Sequence, residues 1–382
     1  MLLTRLQVTH LRNLTNLELE PAAGFNLIIG DNGSGKSSLL EAIHLLGAGR
    51  SFRHTSSKAN LTGLIQHGTE QALCVGRFLT TSDDVDDMSN LHPFSIGVAL
   101  HRRTGITAKA AGERVAAASH LARMLPLMVI NSWTFQLIEG PSQLRRQYLD
   151  WGLFHVKQDY LATLQGWRRC LRQRNQLLRT RHGKIAGELT LWSRELARHA
   201  EAVDAARRDY TAALTPWVTS LSERLGAVPD LELTYQPGWD NAIPLLEQME
   251  RDLESDRARG FTTHGPHRAD LRLKWNGIAV AERLSRGQIK SVVLTLKLAQ
   301  ERMVRSSGSK RPVFLIDDLA AELDSSHRQL FCELLAEERP QAFLTALERD
   351  SIDLSWFGQA GSRLFHVEQG RLRECSVIDR ER

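Results

Sequence analysis

The stretch GDNGSGKSSLLEAI, residues 30–43, decides how the chain is read. Gly30, Gly33 and Gly35 let the backbone wrap tightly enough for successive N–H groups to surround an anion. In the pattern Gly30-x4-Gly35-Lys36-Ser37, Lys36 reaches the β- and γ-phosphates of a nucleotide, and the Ser37 hydroxyl can ligate Mg²⁺. Asp31, Asn32 and Ser34 complete the loop. GFNLIIG (24–30) is an apolar run of the kind buried in a sheet. SSLLEAIHLLGAG (37–49) has helical periodicity and stops at Gly47 and Gly49. The loop therefore opens a helix, whose positive end favours phosphate. A glycine-rich turn without a ligand is the plainer alternative, and the flanking strand and helix tell against it.

Many machines share such a loop, so its companions must choose among them. VFLIDD (313–318) reads as a buried strand that delivers Asp317 to a sheet edge, where it can hold Mg²⁺ through water. Asp318 stands beside it, where a carboxylate can polarise an attacking water. Taken alone, the pair is equally a strand followed by an acidic helix cap. LSRGQIK (284–290) places Ser285, Gly287 and Gln288 at the start of a helix, again suited to a γ-phosphate. An ordinary N-cap looks the same. One ATP does not need two such helix ends from one subunit if they lie far apart on one sheet. The economical geometry is a head-to-tail pair, in which this corner caps the nucleotide held by a second copy.

The remaining sequence narrows the class. Of 382 residues 42 % are hydrophobic, ample for a core, and a net charge of +5 is compatible with a nucleic-acid partner without proving one. Cys74, Cys170, Cys332 and Cys375 make no CxxC pair, which tells against a zinc ribbon or a disulfide framework. MLLTRLQVTHLRNL (1–14) has no apolar core, and no uncharged run approaches the ~18 residues that span a bilayer. A cytoplasmic protein is expected. RLQVTHL (5–11), LTNLELE (14–20), ALCVGRFL (72–79), FSIGVAL (94–100), LRLKW (271–275) and QAFLTA (341–346) read as strands, and RLFHVEQGRLRE (363–374) as strand, turn and strand. Helices are expected over 242–258 and from about Arg286 to Arg305. SDDVDDMSN (82–90) reads as a solvated loop tip, because the EF-hand spacing and glycine are missing.

Proline is absent from Ser142 to Thr215. Leu164, Leu171 and Leu178 recur every seven residues, and a break follows at RHGKIAG (181–187). Leu189, Trp192, Leu196, His199, Val203, Ala206, Tyr210 and Ala213 then alternate steps of three and four. This predicts two helices with coiled-coil seams in an antiparallel hairpin. The first helix and its turn carry Arg168, Arg169, Arg172, Arg174, Arg179, Arg181 and Lys184 without an acid among them. That run is either a phosphate-binding face or a solvated one. His264 and His267 lack companions at a zinc spacing and are expected to pack or make polar contacts.

In order, GDNGSGKS, LSRGQ, VFLIDD and AELD (321–324) resemble the ABC-type ATPases, and the long helical insertion resembles their structural-maintenance-of-chromosomes branch. LRNLTNLEL (11–19), GRSFRH (49–54), RRQYLDW (145–151), THGPHRADL (263–271) and LIDDLAAELD (315–324) are similar to the RecF family of bacterial recombinational repair, over nearly the whole chain. The resemblance implies an α/β fold in which an ABC-type ATPase head is assembled from N- and C-terminal segments, 1–150 and 241–382. An antiparallel helical arm is inserted between them over 151–240. It implies ATP and Mg²⁺ on Gly30 to Ser37 and Asp317, with Asp318 as the water-activating carboxylate. Ser285, Gly287 and Gln288 would act in trans, Asp324 at a dimer seam, and Arg12 and Asn13 beside the nucleotide. Arg50 and Arg53 are candidates near ATP or DNA. The arm's basic residues would meet duplex, gapped or junction DNA. The implied partners are a second copy in an ATP-dependent homodimer, RecO and RecR. The implied outcome is RecA loaded at single-strand gaps, with roles in replication restart and the SOS response.

Three departures qualify the resemblance. Asp318 stands where the superfamily usually has the longer Glu, and Thr345 where transporter ATPases place a histidine. Both fit a weak, slow hydrolysis that acts as a timer. Ser132-Trp133 replaces an expected proline and acid, leaving Gln136 as a candidate nucleotide sensor. A membrane-transporter ATPase subunit is the first rival, although it requires a far shorter interval between Lys36 and Ser285. A small-molecule kinase leaves LSRGQ and the arm unexplained. A DNA clamp that binds ATP without turnover is the third rival.

Overall fold

The computed structural model describes residues 1–53, 58–80, 92–180, 186–226, 228–349 and 361–375. Its internal contacts divide the chain into two units, Met1–Thr134 with Val304–Arg382, and Phe135–Met303. The limits of 150 and 240 that the resemblance implies do not coincide with these units.

The first unit holds two six-stranded sheets. β1 (Leu2–Leu11) and β2 (Leu14–Leu19) form a hairpin. They continue into β4 (Gln71–Thr80), β5 (His92–His101), β6 (Gly105–Ala110) and β7 (Glu113–Arg114), in the order β2-β1-β4-β5-β6-β7 and antiparallel throughout. A register shift between Leu3 and Arg5 lets Leu3 and Leu6 both face the core with Val8 and Leu11. The second sheet is built from β3 (Phe25–Ile29), β8 (Leu127–Ile130), β12 (Val313–Ile316), β13 (Ala342–Ala346), β14 (Arg363–Glu368) and β15 (Arg371–Cys375). Its order is β15-β14-β3-β13-β12-β8, and all pairs are parallel except β14–β15. β12 is apolar and buried at every residue, as suits a central strand of a largely parallel sheet.

α1 (Lys36–Ala48) touches strands of both sheets, which is why it is buried almost all round. Each leucine or isoleucine so enclosed contributes about 1.5–3 kcal/mol. The helix runs through Gly47 and ends at Gly49, which adopts φ 62°. Gly47 serves packing instead, since a Cβ there would stand 2.6 Å from the Leu125 carbonyl oxygen. α2 (Ala118–Met124) packs on α1, while α11 (Leu319–Glu322) and α12 (Ser325–Glu338) follow β12.

The second unit begins with α3 (Gln136–Glu139) and α4 (Ser142–Val156). α5 (Tyr160–Arg179) and α6 (Ala186–Arg224) pack antiparallel, with Arg174 meeting Ser193 and Gly166 meeting His199. The expected seam holds at Leu189, Leu196, Val203, Ala206 and Tyr210, but Ala213 is exposed, and Ser193, Ala200, Arg207 and Leu214 are buried as well. A helix at 3.6 residues per turn drifts about 20° per heptad, so a seven-residue reading slips along its length. α6 continues past Pro216, and Thr211, Thr215 and Thr219 each donate a hydroxyl to the carbonyl four residues back.

β9 (Leu231–Gln236), β10 (Asp270–Trp275) and β11 (Ile278–Ala279) make a small antiparallel sheet. The helix expected over 242–258 is two, α7 (Leu245–Arg251) and α8 (Leu253–Arg259), because Pro244 delays the start and Asp252 leaves helical geometry. α9 (Val280–Arg283) leads into α10 (Arg286–Ser306). The acidic stretch 82–90 lies outside the described residues.

Candidate functional site

In an open parallel sheet, ligands gather at the carboxyl ends of the strands. Here β3 ends in the Gly30 loop, β12 in Asp317, and β13, lying between them, in Thr345 and Ala346. The phosphate loop, the paired acids and Thr345 therefore share one edge.

The loop is held from beneath. A Cβ on Gly30 (φ 148°) would fall 2.2 Å from the Val367 carbonyl oxygen, so only glycine fits. The Gly370 N–H donates to the Ser34 carbonyl at 2.8 Å, and the β14–β15 turn thus supports the loop. Asn13 clamps its side, donating from Nδ2 to the Gly33 carbonyl (2.9 Å) and accepting the Ser38 hydroxyl (2.9 Å). Lys36 Nζ lies inward and donates to the carbonyls of Gly30 (2.6 Å) and Asp31 (2.9 Å). Burial lowers the Lys36 pKa, opposed by the charges of Asp318, Asp317 and Asp31. Asp31 and Asn32 are exposed.

Ser37 donates its hydroxyl to Asp317 Oδ1 at 2.8 Å. Thr345 Oγ1 donates to the same oxygen (2.9 Å) and accepts the Asp318 N–H (2.9 Å). One threonine hydroxyl thus fixes both acids, and it holds Asp318 in a left-handed conformation, φ 53°. The Arg53 guanidinium stands 3.6 Å from Asp317 Oδ2.

These residues fit a magnesium nucleotide. Among the described residues no atom lies within 4 Å of where a Gly33 Cβ would be, which leaves open space there. Among the described residues Ser34 Oγ is buried without a hydrogen-bond partner, and Gly35, the N-cap of α1, offers no side chain to cap it. The first N–H groups of a helix left in this way suit an anion. Ser37 and Asp317 offer hard oxygen donors of the kind Mg²⁺ takes.

A second layer escaped the sequence. Glu41 has 0 % exposure and receives the Arg12 guanidinium as a fork and the Ser51 hydroxyl. Its only outward sign is an acid inside an apolar helix, which must find partners when buried. His44 Nδ1 donates to the Arg50 carbonyl (2.7 Å), and burial pushes the ring down to about 4, so it is neutral.

Other expected residues lie elsewhere. In the second unit, Ser285 and Gln288 cap α10 reciprocally: Ser285 N–H donates to Gln288 Oε1 (3.0 Å), and Gln288 N–H to Ser285 Oγ (3.3 Å). Ser285 is exposed, and among the described residues no atom lies within 4 Å of where a Gly287 Cβ would be. Asp324 caps α12, accepting the His327 N–H (3.0 Å), which holds its carboxyl below the usual range. Ser132, Trp133 and Gln136 are exposed. His264 faces Asp252 at 3.1 Å, and the His267 ring meets the Thr262 carbonyl at 3.0 Å.

Arg168, Arg169, Arg172 and Arg179 are exposed, although Arg179 donates to the Gly260 carbonyl at 3.0 Å. Arg174 is a correction. Its guanidinium has 0 % exposure and binds Asp256 (2.7 Å), Thr262 (2.7 Å) and Ser193 (3.0 Å), so no phosphate can reach it. Arg181 and Lys184 lie outside the described residues. Among the described residues no helix is long and apolar enough to cross a membrane.

The family described as RecF/RecN/SMC N terminal domain matches residues 2–372. A protein of Pseudomonas aeruginosa strain LESB58 named DNA replication and repair protein RecF is 39 % identical over 384 residues, covering 100 % of each chain. Its namesake in Chromohalobacter salexigens is 41 % identical, covering 97 % of this chain and 99 % of that one. Among solved structures, that of the recombination mediator protein RecF-ATPrS in the RecFOR pathway superposes with a TM-score of 0.82 at 25 % identity, over 98 % of both chains. An Smc head bound to the C-winged helix domain of ScpA shares the fold, with a TM-score of 0.58 at 15 % identity over 99 % of this chain and 98 % of that one.

Proposed function

Since the chain belongs to the RecF/RecN/SMC N-terminal-domain family, and within it to the RecF proteins of DNA replication and repair, we propose that it is an ATP-operated DNA clasp of recombinational repair. The transporter reading has no support, because the relatives named above are repair proteins matched from end to end. The observation that carries the proposal is the uncapped, glycine-lined start of α1, on which Lys36, Ser37 and Asp317 converge.

When bound, ATP with Mg²⁺ supplies a triphosphate whose charge the site must balance. Lys36 would neutralise phosphate oxygens, and Ser37 and Asp317 would supply the oxygen donors that hold the metal. Asp318 orients water. Ser285, Gly287 and Gln288 complete the cradle of a second copy, so that nucleotide joins two heads and its loss parts them. Arg168, Arg169, Arg172 and Arg179 contact the DNA backbone, and Arg181 and Lys184 add to the same basic run in sequence. RecO and RecR are the partners, RecA loading at gaps the outcome, and the cytoplasm the setting. Hydrolysis is slow, in keeping with the short Asp318.

Sedimentation tests this reading, with and without ATP and duplex DNA, on the natural chain and on Lys36→Met. The natural chain is expected to dimerise only with ATP, most strongly on DNA, and the variant not at all. A chain that stays monomeric on DNA at saturating ATP would overturn the clasp.

A further inference from the structure

The family resemblance assigns nothing to Glu41, yet it is the most enclosed acid near the loop. It lies on α1, one turn beyond the phosphate-binding residues, with 0 % exposure. Its Oε1 accepts Arg12 Nη2 at 3.0 Å, and its Oε2 pairs with Arg12 Nε. Oε1 also takes the Ser51 hydroxyl, and Ser51 Oγ in turn accepts the Arg53 N–H at 3.0 Å. The Arg53 guanidinium stands 3.6 Å from Asp317. A continuous chain therefore runs from the β1–β2 turn, through one buried carboxylate, to the acid at the end of β12.

We propose that Glu41 is a positioning residue for nucleotide binding, holding Arg12 directly and Arg53 through Ser51 so that both arginines face the phosphate loop. The proposal rests on the nucleotide reading above. Arg12 occupies a left-handed conformation, φ 52°, which a non-glycine residue keeps only when its surroundings hold it. Arg53 is 38 % exposed at its side chain and follows a turn whose hydroxyl anchor is Ser51. Without the anchor, both arginines gain rotamer freedom that binding must then remove. An amide cannot substitute, because a glutamine at 41 would present one N–H₂ to a fork that only donates.

The test combines two readouts. Amide hydrogen exchange in the nucleotide-free protein reports whether the turn over residues 50–53 is held. Equilibrium titration with a fluorescent ATP analogue reports affinity, with ATP turnover measured alongside to separate KM from kcat. Glu41→Gln should speed exchange in that turn and raise Kd and KM about tenfold, the size of one charged hydrogen bond, with a smaller change in kcat.

Ser51→Ala leaves the Arg12 fork intact and should give a partial version of the same change, while Ser51→Thr restores the hydroxyl and the affinity. If Glu41→Gln does not fold, the Ser51 pair decides alone. Unchanged exchange and affinity in the variants, with the natural chain binding the analogue, overturn the positioning role and leave the nucleotide reading intact. A natural chain that binds no analogue overturns both.

Discussion

Helices α1 and α10 both begin beside a glycine and a serine, and their first turns are satisfied in different ways. α1 has no side-chain cap, and beneath it sit a buried ammonium and a serine hydroxyl without a partner. α10 closes on itself through the reciprocal bonds of Ser285 and Gln288, on an exposed corner. The first four N–H groups of any helix need acceptors. α1 leaves that demand open for an anion, whereas α10 meets part of it internally and must exchange those bonds to meet a phosphate. The first is built as a primary site, and the second as a surface that can wait without a ligand.

The contrast breaks most easily at Lys36. Lys36→Met removes the ammonium that donates to the Gly30 and Asp31 carbonyls. Nucleotide affinity should fall about hundredfold, the equivalent of a charged hydrogen-bonding group lost from a buried site. Calorimetric titration with ATP checks this. Undiminished binding would mean that α1 is no more an anion site than α10.

The α1 side should also carry an acid sensitivity. The His44 pKa is lowered to about 4 by burial, below the ~6.5 of a free histidine. As pH falls, the unfolded chain takes up this proton first. Stability is full above about pH 6.5 and declines toward pH 4, by about 3 kcal/mol in all. Hydrogen exchange of α1 amides at pH 7, 5.5 and 4.5 measures the slope, and His44→Asn should flatten it. The probe must be local, because His267 has the same lowered value of about 4 in the second unit.

The two regions also differ in how much of them could be read from sequence. The loop and VFLIDD were legible because spacing alone carries their chemistry, and their strands are continuous apolar runs. The Ser285–Gln288 pair was legible as a helix start. Glu41 with Arg12 and Ser51 was not, because its partners come from separate turns and no short pattern joins them. Arg174 looked like its exposed neighbours because its acid, Asp256, lies 82 positions away. The arm's seam was half legible, since a strict heptad departs from a straight helix along its length. The support from the C-terminal hairpin, through Val367 and Gly370, required the three-dimensional closure of the sheet.

Thr345 sharpens the comparison at intermediate size. Thr345→Val keeps the shape of the side chain but leaves the Asp318 N–H without its acceptor and Asp317 without one donor. A loss of about 1–3 kcal/mol in urea unfolding is expected, the cost of an unsatisfied polar group. The Mg²⁺ concentration needed for nucleotide binding should rise with it. A variant with unchanged stability and unchanged Mg²⁺ dependence would show that the two acids hold their places without the threonine.

The smallest effect on the single chain should come from Ser285→Ala, and it separates the two helix starts most cleanly. Loss of an N-cap serine costs ~1 kcal/mol, and Gln288 then loses its reciprocal partner. Nothing in the α1 site changes, so nucleotide affinity measured on dilute, monomeric protein should match that of the natural chain. If the serine meets a phosphate across the dimer as proposed, ATP-dependent dimerisation, followed by sedimentation, should nevertheless be lost. Equal dimerisation at equal affinity would reduce the corner to an ordinary cap, and α1 would then have to hold its ATP without help from a second molecule.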